Sequence, residues 1–225
     1  MEPQSARAVV VPRGEDNVLS PVEEISARHY DARLPYHNFD HALEVLERAR
    51  VLLDSLEAAA IPVDRQVVRL AVLFHDAGYA DDHRHLGHDS KEAYSATLAR
   101  EAMRRHGAPE DQILAVINAI LCTSRDGRCQ TIEENVVRAA DLGGLGGEYE
   151  VFHRGSINLW REGAYLTGRE TPWPIWVEAS IPQIRAFARP TLALPVPGFS
   201  GGRTYPEFLA QVEANIARLL GEIAA

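Results

Sequence analysis

Four histidine and aspartate side chains, far apart in the sequence, are of the right types to bind a metal ion together. His41 lies in the segment YHNFDHA, His75 and Asp76 form an adjacent pair, and Asp141 closes the run VVRAAD. Each has apolar neighbours, and burying a charged carboxylate among them costs several kcal/mol unless it is paired or binds a cation. Two imidazoles and two carboxylates suit a divalent first-row metal that keeps open positions. Such a metal lowers the pKa of bound water and polarises a phosphoryl oxygen.

The spacing of these residues carries more information than any one of them. Two histidines four residues apart, such as His37 and His41, are more often polar surface than ligands, and a His-Asp dipeptide is common by chance. Asp141 alone, with two glycines soon after it, is a plausible helix-end residue. The joint pattern is more specific, with 33 residues between His41 and the His75–Asp76 pair and 64 residues between that pair and Asp141.

The elements expected to position these residues are helices. The segment SPVEEISARHYDARL predicts a first helix with Ser20 as its N-cap and an end near Pro35. The apolar stripe within 42–56 predicts an amphipathic helix in the segment NFDHALEVLERARVLLDSLEAAA, which begins just after His37. The run 67–74 is apolar nearly all round, so this helix should be buried, with Gly78 as its C-terminal cap.

The rest of the chain also has helical periodicity, and clear alternating strands are absent. Helices are expected over 90–107, 110–124, 131–142, roughly 146–167 and 205–223, with a short one after 170. The predicted fold class is therefore all-α. We expect a flexible N-terminal arm over 1–18 and a single domain over 19–225.

Composition limits the classes of protein and partner. The chain has 225 residues, 46% hydrophobic, and a formal net charge of −9, so we expect no nucleic-acid polymer as a partner. No apolar run approaches the ~20 residues of a membrane span, so no membrane association is expected. Cys122 and Cys129 are the only cysteines, which does not resemble a disulfide framework and suits a cytoplasmic protein.

The segments YHNFDHALEVLERAR, LAVLFHDAGY, KEAYSA and AADLGGLG resemble the HD superfamily of metal-dependent phosphohydrolases, in particular a predicted bacterial HD phosphohydrolase group. The resemblance covers residues 30–147 well and the remainder loosely. It implies an HD-domain helical bundle and a bound divalent metal ion, with Mn, Fe, Co, Ni, Zn and Mg as candidates. The implied metal ligands are His41, His75, Asp76 and Asp141.

The segment YHN also resembles its counterpart in cyclic-nucleotide phosphodiesterases, in which the first histidine protonates the leaving oxygen and the second binds metal. That resemblance implies that His37 is the general acid and His41 a ligand. A histidine with a pKa near neutral suits proton donation to a departing oxygen. The alternative for His37, a hydrogen bond at the start of the helix, has about equal weight.

The resemblance draws attention to further charged residues. It places a glutamate at Glu92, which could position water, act as a base or hold a metal-bound histidine; an exposed helical glutamate is the alternative. His88 is a candidate additional ligand, but the next helical segment, 110–124, has no histidine, so one tightly held metal is favoured. Five basic residues could rim the pocket, although each is individually more typical of ordinary surface charge: Lys91, Arg125, Arg128, Arg154 and Arg161.

The function predicted from these features is a metal-dependent phosphohydrolase or phosphodiesterase acting on a small phosphorylated compound, for which a nucleotide is one candidate. An HD-type di-iron oxygenase is an alternative that needs two further histidine ligands. A non-catalytic HD domain that binds a nucleotide is the third hypothesis. The sequence leaves the oligomeric state open.

Overall fold

The computed structural model describes residues 20–188, 194–196 and 202–224, and within them the chain is helical with no extended strand. The predicted all-α fold class is therefore confirmed. The arm predicted for 1–18, and most of the loop that follows 188, lie outside the described residues. The helices are α1 (Pro21–Ala27), α2 (Phe39–Ala58), α3 (Arg65–Phe74), α4 (Lys91–Arg105), α5 (Glu110–Leu121), α6 (Ile132–Leu142), α7 (Tyr149–Thr167), α8 (Trp173–Ala188) and α9 (Tyr205–Ala224).

Side-chain caps define where five of these helices begin. A cap satisfies backbone N–H groups that have no partner within the helix, which stabilises it by about 1 kcal/mol. The predicted cap Ser20 is confirmed, and Glu23 completes a capping box by accepting from the Ser20 N–H at 2.6 Å. The other capping side chains are Asn38, Asp64, Ser90 and Thr131.

The first helix ends at Ala27, so the predicted end near Pro35 was wrong. Two long-range hydrogen bonds explain the difference. The carbonyl of His29 accepts from the Gly78 N–H at 2.9 Å, and the Tyr30 hydroxyl donates to the Leu73 carbonyl at 3.0 Å. These bonds attach the segment after α1 to the end of α3 and override the local helical pattern.

Helix α3 is central, since it contacts α1, α2, α4, α5 and α6. Its buried side chains include Leu73 and Phe74, and burying such a side chain contributes about 1.5–3 kcal/mol. The helix ends at Phe74 with His75 as its C-cap, so the predicted cap Gly78 was wrong. Gly78 instead has a φ of 74° in the turn that follows. Its left-handed conformation lets the chain turn back toward α4.

The predicted short helix after 170 has 16 residues, Trp173–Ala188, and continues through Pro182. A proline inside a helix costs about 3 kcal/mol. Packing of α8 against α9, with Val177 and Ile181 buried, offsets that cost. One hydrophobic cluster contains buried side chains from α2 through α9. The single-domain interpretation of 19–225 stays a prediction, because that range includes residues outside those described.

Candidate metal centre

The four predicted ligands converge where three helices meet. His41 lies in the first turn of α2, His75 and Asp76 follow the last residue of α3, and Asp141 lies at the end of α6. Potential ligand atoms of His41, His75 and Asp141 all lie within 4.8 Å of one another. The fold therefore brings together side chains from both ends of the predicted motif.

Each carboxylate faces both imidazoles. An Asp76 oxygen lies 2.9 Å from His75 Nε2 and 3.7 Å from His41 Nε2. An Asp141 oxygen lies 3.5 Å and 3.7 Å from the same two nitrogens. The histidines are 6% and 2% exposed, whereas the carboxylate side chains retain 16% and 21% exposure. The imidazoles thus form the floor of the site, and the carboxylates lie toward its opening.

Surrounding groups orient the imidazoles. His75 Nδ1 lies 2.7 Å from the Val72 carbonyl, which can only accept, so Nδ1 carries the hydrogen and the lone pair of the neutral ring is on Nε2. The Asn38 side-chain oxygen accepts from the backbone N–H of His41 at 3.0 Å and so fixes the start of α2, which carries the His41 ring. Arg48 donates to the Ala140 carbonyl at 3.3 Å, which joins α2 to α6 beside Asp141.

The arrangement fits a bound cation. Nε2 of His41 and Nε2 of His75 are both buried without a hydrogen-bond partner. The 2.9 Å approach of Asp76 to His75 Nε2 does not have hydrogen-bond geometry, so it does not satisfy that nitrogen. Buried polar atoms normally have partners. Two orphaned imidazole nitrogens facing two carboxylates are the donor set that a divalent first-row ion requires.

Electrostatics also favour positive charge at this point. Burial disfavours the charged form of every group in the cluster. Burial lowers the pKa of His41, whereas Asp76 and Asp141 outweigh burial at His75 and raise its pKa well above the ordinary value. Burial is likewise outweighed at Asp76, where His75 and His37 hold the pKa at about 2. At Asp141, hydrogen bonds to His41 and His75 outweigh burial and lower the pKa. The carboxylates are therefore ionised at neutral pH.

His37 has different surroundings from His41. Its Nδ1 is paired with the carboxylate of Glu162 on α7, which also accepts from the backbone N–H groups of Tyr36 at 2.9 Å and His37 at 2.8 Å. The Glu162 side chain is 2% exposed. Burial raises the pKa of Glu162, but the hydrogen bonds from His37 and Tyr36 outweigh it and lower the pKa overall. The pair therefore holds the His37 ring in one orientation.

Sequence reasoning missed Glu162. It lies 125 residues from its partner in a segment, NLWREGAY, that is typical of an amphipathic surface helix. Gly155 on the same helix gives one retrospective signal, because a Cβ there would lie 3.4 Å from the Tyr36 ring. A helix with both a small residue and an acid is consistent with close packing, but many surface helices share that composition.

Glu92 lies in the first turn of α4 and is half-buried. Its negative charge contributes to the raised pKa of Tyr79 and opposes the lowering of the Lys91 pKa by burial. Glu92 therefore lies on the side of the site where Tyr79 stacks on His37. His88 is not part of the metal-ligating group found in the described residues, and its ring packs against Tyr94 at 5.0 Å.

Of the five basic residues that could rim the site, Lys91 lies beside the His37 ring system and the four arginines lie elsewhere on the described surface. Lys91 contacts Tyr79, whose ring stacks on His37. Arg154 lies 3.8 Å from Glu44 on the exposed surface of α2. Arg125 and Arg128 belong to the α5–α6 connection, and Arg161 is an exposed residue of α7. Lys91 is therefore the one of these five that the described contacts connect to His37.

The family model of the HD domain matches residues 38–142, a range that contains all four converging side chains. The segment 38–142 of this chain is an HD domain. This match confirms the family suggested by the sequence motifs, and the helical architecture agrees with it.

Solved structures extend the similarity over most of the chain. The phosphodiesterase domain of Salpingoeca rosetta rhodopsin phosphodiesterase is 18% identical, with a TM-score of 0.57 over 90% of this chain and 76% of that one. The phosphodiesterase domain of the RhoPDE fusion protein from the same choanoflagellate is 17% identical, with a TM-score of 0.58 over 93% and 82%. At such identities the similarity shows a shared fold. No curated protein matches the sequence significantly.

Proposed function

We propose that this HD-domain protein is a metal-dependent phosphoric ester hydrolase acting on a small phosphorylated compound, with nucleotides as the first class to test. The observation that carries the proposal is the pair of buried, unpartnered Nε2 atoms of His41 and His75 facing Asp76 and Asp141. The HD family and the phosphodiesterase folds of the structural neighbours support it.

The proposed ligands of the ion are His41, His75, Asp76 and Asp141. A divalent cation bound there would lower the pKa of water and offset the charge that develops on phosphoryl oxygens. The two carboxylates contribute negative charge on the open side of the site, and the imidazoles contribute a rigid floor. His88 remains a candidate for a second, weaker ion, although its packing against Tyr94 gives that role no support.

His37 is the proposed proton donor. Its Nδ1 is engaged by Glu162, so Nε2 is the ring nitrogen that can give a proton to the leaving oxygen. Glu162 stabilises the protonated imidazole and fixes its orientation, the role that a buried carboxylate performs for histidine in acid–base sites. After transfer, the neutral imidazole keeps its hydrogen on Nδ1 and can be reprotonated from solvent, because the side chain is 14% exposed.

Glu92 is the proposed proton acceptor for the attacking water. Its half-buried position on the His37 side of the site and the family resemblance of KEAYSA support this role. The net charge of −9 favours a small substrate over a nucleic-acid polymer. Within the described residues, no helix combines the length and the apolar character needed to cross a bilayer.

The experiment that tests the function is metal removal and reloading. Protein stripped with a chelator should hydrolyse no phosphoester, and reloading with Mn²⁺, Fe²⁺, Co²⁺, Ni²⁺, Zn²⁺ or Mg²⁺ should restore release from at least one nucleotide or phosphate ester. Asp141→Asn is the matched variant, since it removes one ligand charge and keeps the side-chain shape. Absence of hydrolysis with every metal, or full activity in Asp141→Asn, would contradict the proposal.

A further inference from the structure

The imidazole of His37 is held by more than Glu162. The Tyr79 ring stacks on it with centroids 3.6 Å apart and planes inclined by 12°. The Tyr36 ring contacts it edge-on, with centroids 4.8 Å apart and planes inclined by 75°. The hydrogen bond at Nδ1 sets the orientation of the ring, but small changes in the side-chain torsions still rotate the ring slightly. A parallel ring in van der Waals contact removes that rotation, and so fixes where Nε2 points.

Tyr79 is itself held by a cation. Lys91 Nζ donates to the Tyr79 carbonyl at 2.8 Å and lies 3.3 Å from the centroid of the Tyr79 ring. Because His37 occupies one face of that ring at 3.6 Å, the ammonium must lie on the other face. One ammonium thus contacts both the backbone and the side chain of one residue, which fixes the rotamer of Tyr79.

We propose that Tyr79 and Lys91 form a clamp that positions His37 for proton donation. The inference rests on the proposed function, since it assigns two positioning residues to the proton donor of that reaction. Neither residue is among the four proposed metal ligands. The clamp joins the turn after α3 to the first turn of α4, and therefore connects the His75–Asp76 segment with the His37 ring.

The surroundings of Lys91 are consistent with this role. Burial lowers the pKa of Lys91, and the nearby charges of Glu162, Asp76 and Glu92 act in the opposite direction. These three carboxylates attract the Lys91 ammonium toward the site, so it does not extend into solvent. Its contacts with Tyr79 keep it on the far face of the ring, where it supports His37 without touching it.

A kinetic experiment separates positioning from structure. Tyr79→Leu and Lys91→Met should lower kcat by about 10- to 100-fold on an alkyl phosphate ester, as expected when a proton donor is misplaced by about 1 Å. Both should act almost normally on a nitrophenyl ester, whose oxygen departs without a proton. Tyr79→Phe keeps the ring and should rescue most of the rate lost in Tyr79→Leu. Arg105→Met, at the exposed end of the same helix as Lys91, controls for loss of one positive charge.

The result that overturns the clamp is an equal loss on both esters, or a loss of bound metal in either variant. A second readout does not depend on activity. In zinc-loaded protein the Nδ1–H of His37 should give a slowly exchanging downfield proton resonance, assigned by its disappearance in Glu162→Gln. Tyr79→Leu and Lys91→Met should accelerate that exchange, and unchanged exchange in both would overturn the inference. If the wild-type protein hydrolyses no ester, the proposed function fails while this resonance still decides the clamp.

Discussion

His37 lies just before α2 and His41 in its first turn, and the two histidines have different partners. His37 is paired with a carboxylate at Nδ1, whereas the Nε2 of His41 faces two carboxylates without a hydrogen bond. The first environment suits an imidazole that holds and releases a proton, and the second suits one that binds a cation. Single substitutions can therefore separate the two proposed roles.

His37→Asn should leave the metal content nearly unchanged and the fold intact, because it removes no proposed ligand. Its melting temperature should fall, because buried Glu162 loses its partner. The rate on an ester with a poor leaving group should fall by ~10²–10⁴, the usual size of a lost proton donor. The rate on a nitrophenyl ester should fall much less. Kinetics with both esters, together with one melting curve, checks this. A similar loss on both substrates, in protein that the melting curve shows to be folded, would assign His37 a structural role.

Glu162→Gln tests the buried carboxylate through pH. The pKa of Glu162 lies below its ordinary value of 4.5, so its ionised form contributes stability above that pH and loses it as the pH falls through the folded-state value. The difference in free energy of unfolding between wild type and Glu162→Gln should be largest near pH 7 and should shrink below pH 4.5. Denaturant unfolding at several pH values measures it, with the exposed Glu101→Gln as control. A difference independent of pH would show that the charge of Glu162 does not stabilise the fold.

At the scale of elements, the turn after α3 sets the geometry of the site, because it carries His75, Asp76 and Tyr79 within one short segment. Gly78 lies inside this turn with a φ of 74°, and a Cβ there would overlap the Tyr94 ring. The turn therefore depends on a residue without a side chain.

Gly78→Ala should lower the free energy of unfolding by ~2–5 kcal/mol, the sum of left-handed strain and overpacking. Gly87→Ala is a matched control, because Gly87 has a φ of 85° and a Cβ added there would have no heavy atom within 4 Å. It should cost only the strain, ~1–2 kcal/mol. Denaturant unfolding of both variants provides the comparison. Equal losses would show that contact with Tyr94 does not constrain the turn.

Arg138 stabilises the α5–α6 connection from inside the protein. Its side chain is fully buried and donates to the carbonyls of Cys122, Ser124 and Arg125 at the end of α5. Arg138→Met keeps much of the apolar stem but leaves these carbonyls without their donor. We expect a loss of ~1–3 kcal/mol in unfolding free energy for each buried carbonyl left without a donor, and a smaller total loss in Arg138→Lys, whose single nitrogen cannot span three carbonyls. A loss below that of the exposed control Arg105→Met would contradict this interpretation.

At the scale of the whole molecule, capping residues and hydrophobic periodicity predicted the helix starts, helix ends and buried faces that depend on nearby residues alone. The cap Ser20, the buried stripe of α2 and the end of α4 near Gly107 follow from capping and periodicity. The convergence of His41 with Asp141 was anticipated from the family resemblance, since periodicity does not reveal which helix ends meet.

Long-range contacts account for what the sequence did not reveal. The early end of α1 depends on two long-range hydrogen bonds: the His29 carbonyl accepts from the Gly78 N–H, and the Tyr30 hydroxyl donates to the Leu73 carbonyl. Glu162 pairs with His37 across a sequence separation of 125 residues, and Lys91 reaches Tyr79 by turning back from the start of α4. None of these pairings alters the local pattern of apolar and polar residues, so no periodic signal marks them.

The measurement that tests the central claim most directly is metal stoichiometry after exposure to Mn²⁺ or Zn²⁺ and dialysis. We predict one tightly held ion per chain in the wild type, and loss of that ion in His75→Ala and Asp76→Ala with the helical content retained. His83→Ala and His85→Ala, in the loop before α4, should retain it. A wild-type protein that holds no ion, or equal metal content in both pairs of variants, would contradict the assignment of this site as a metal centre.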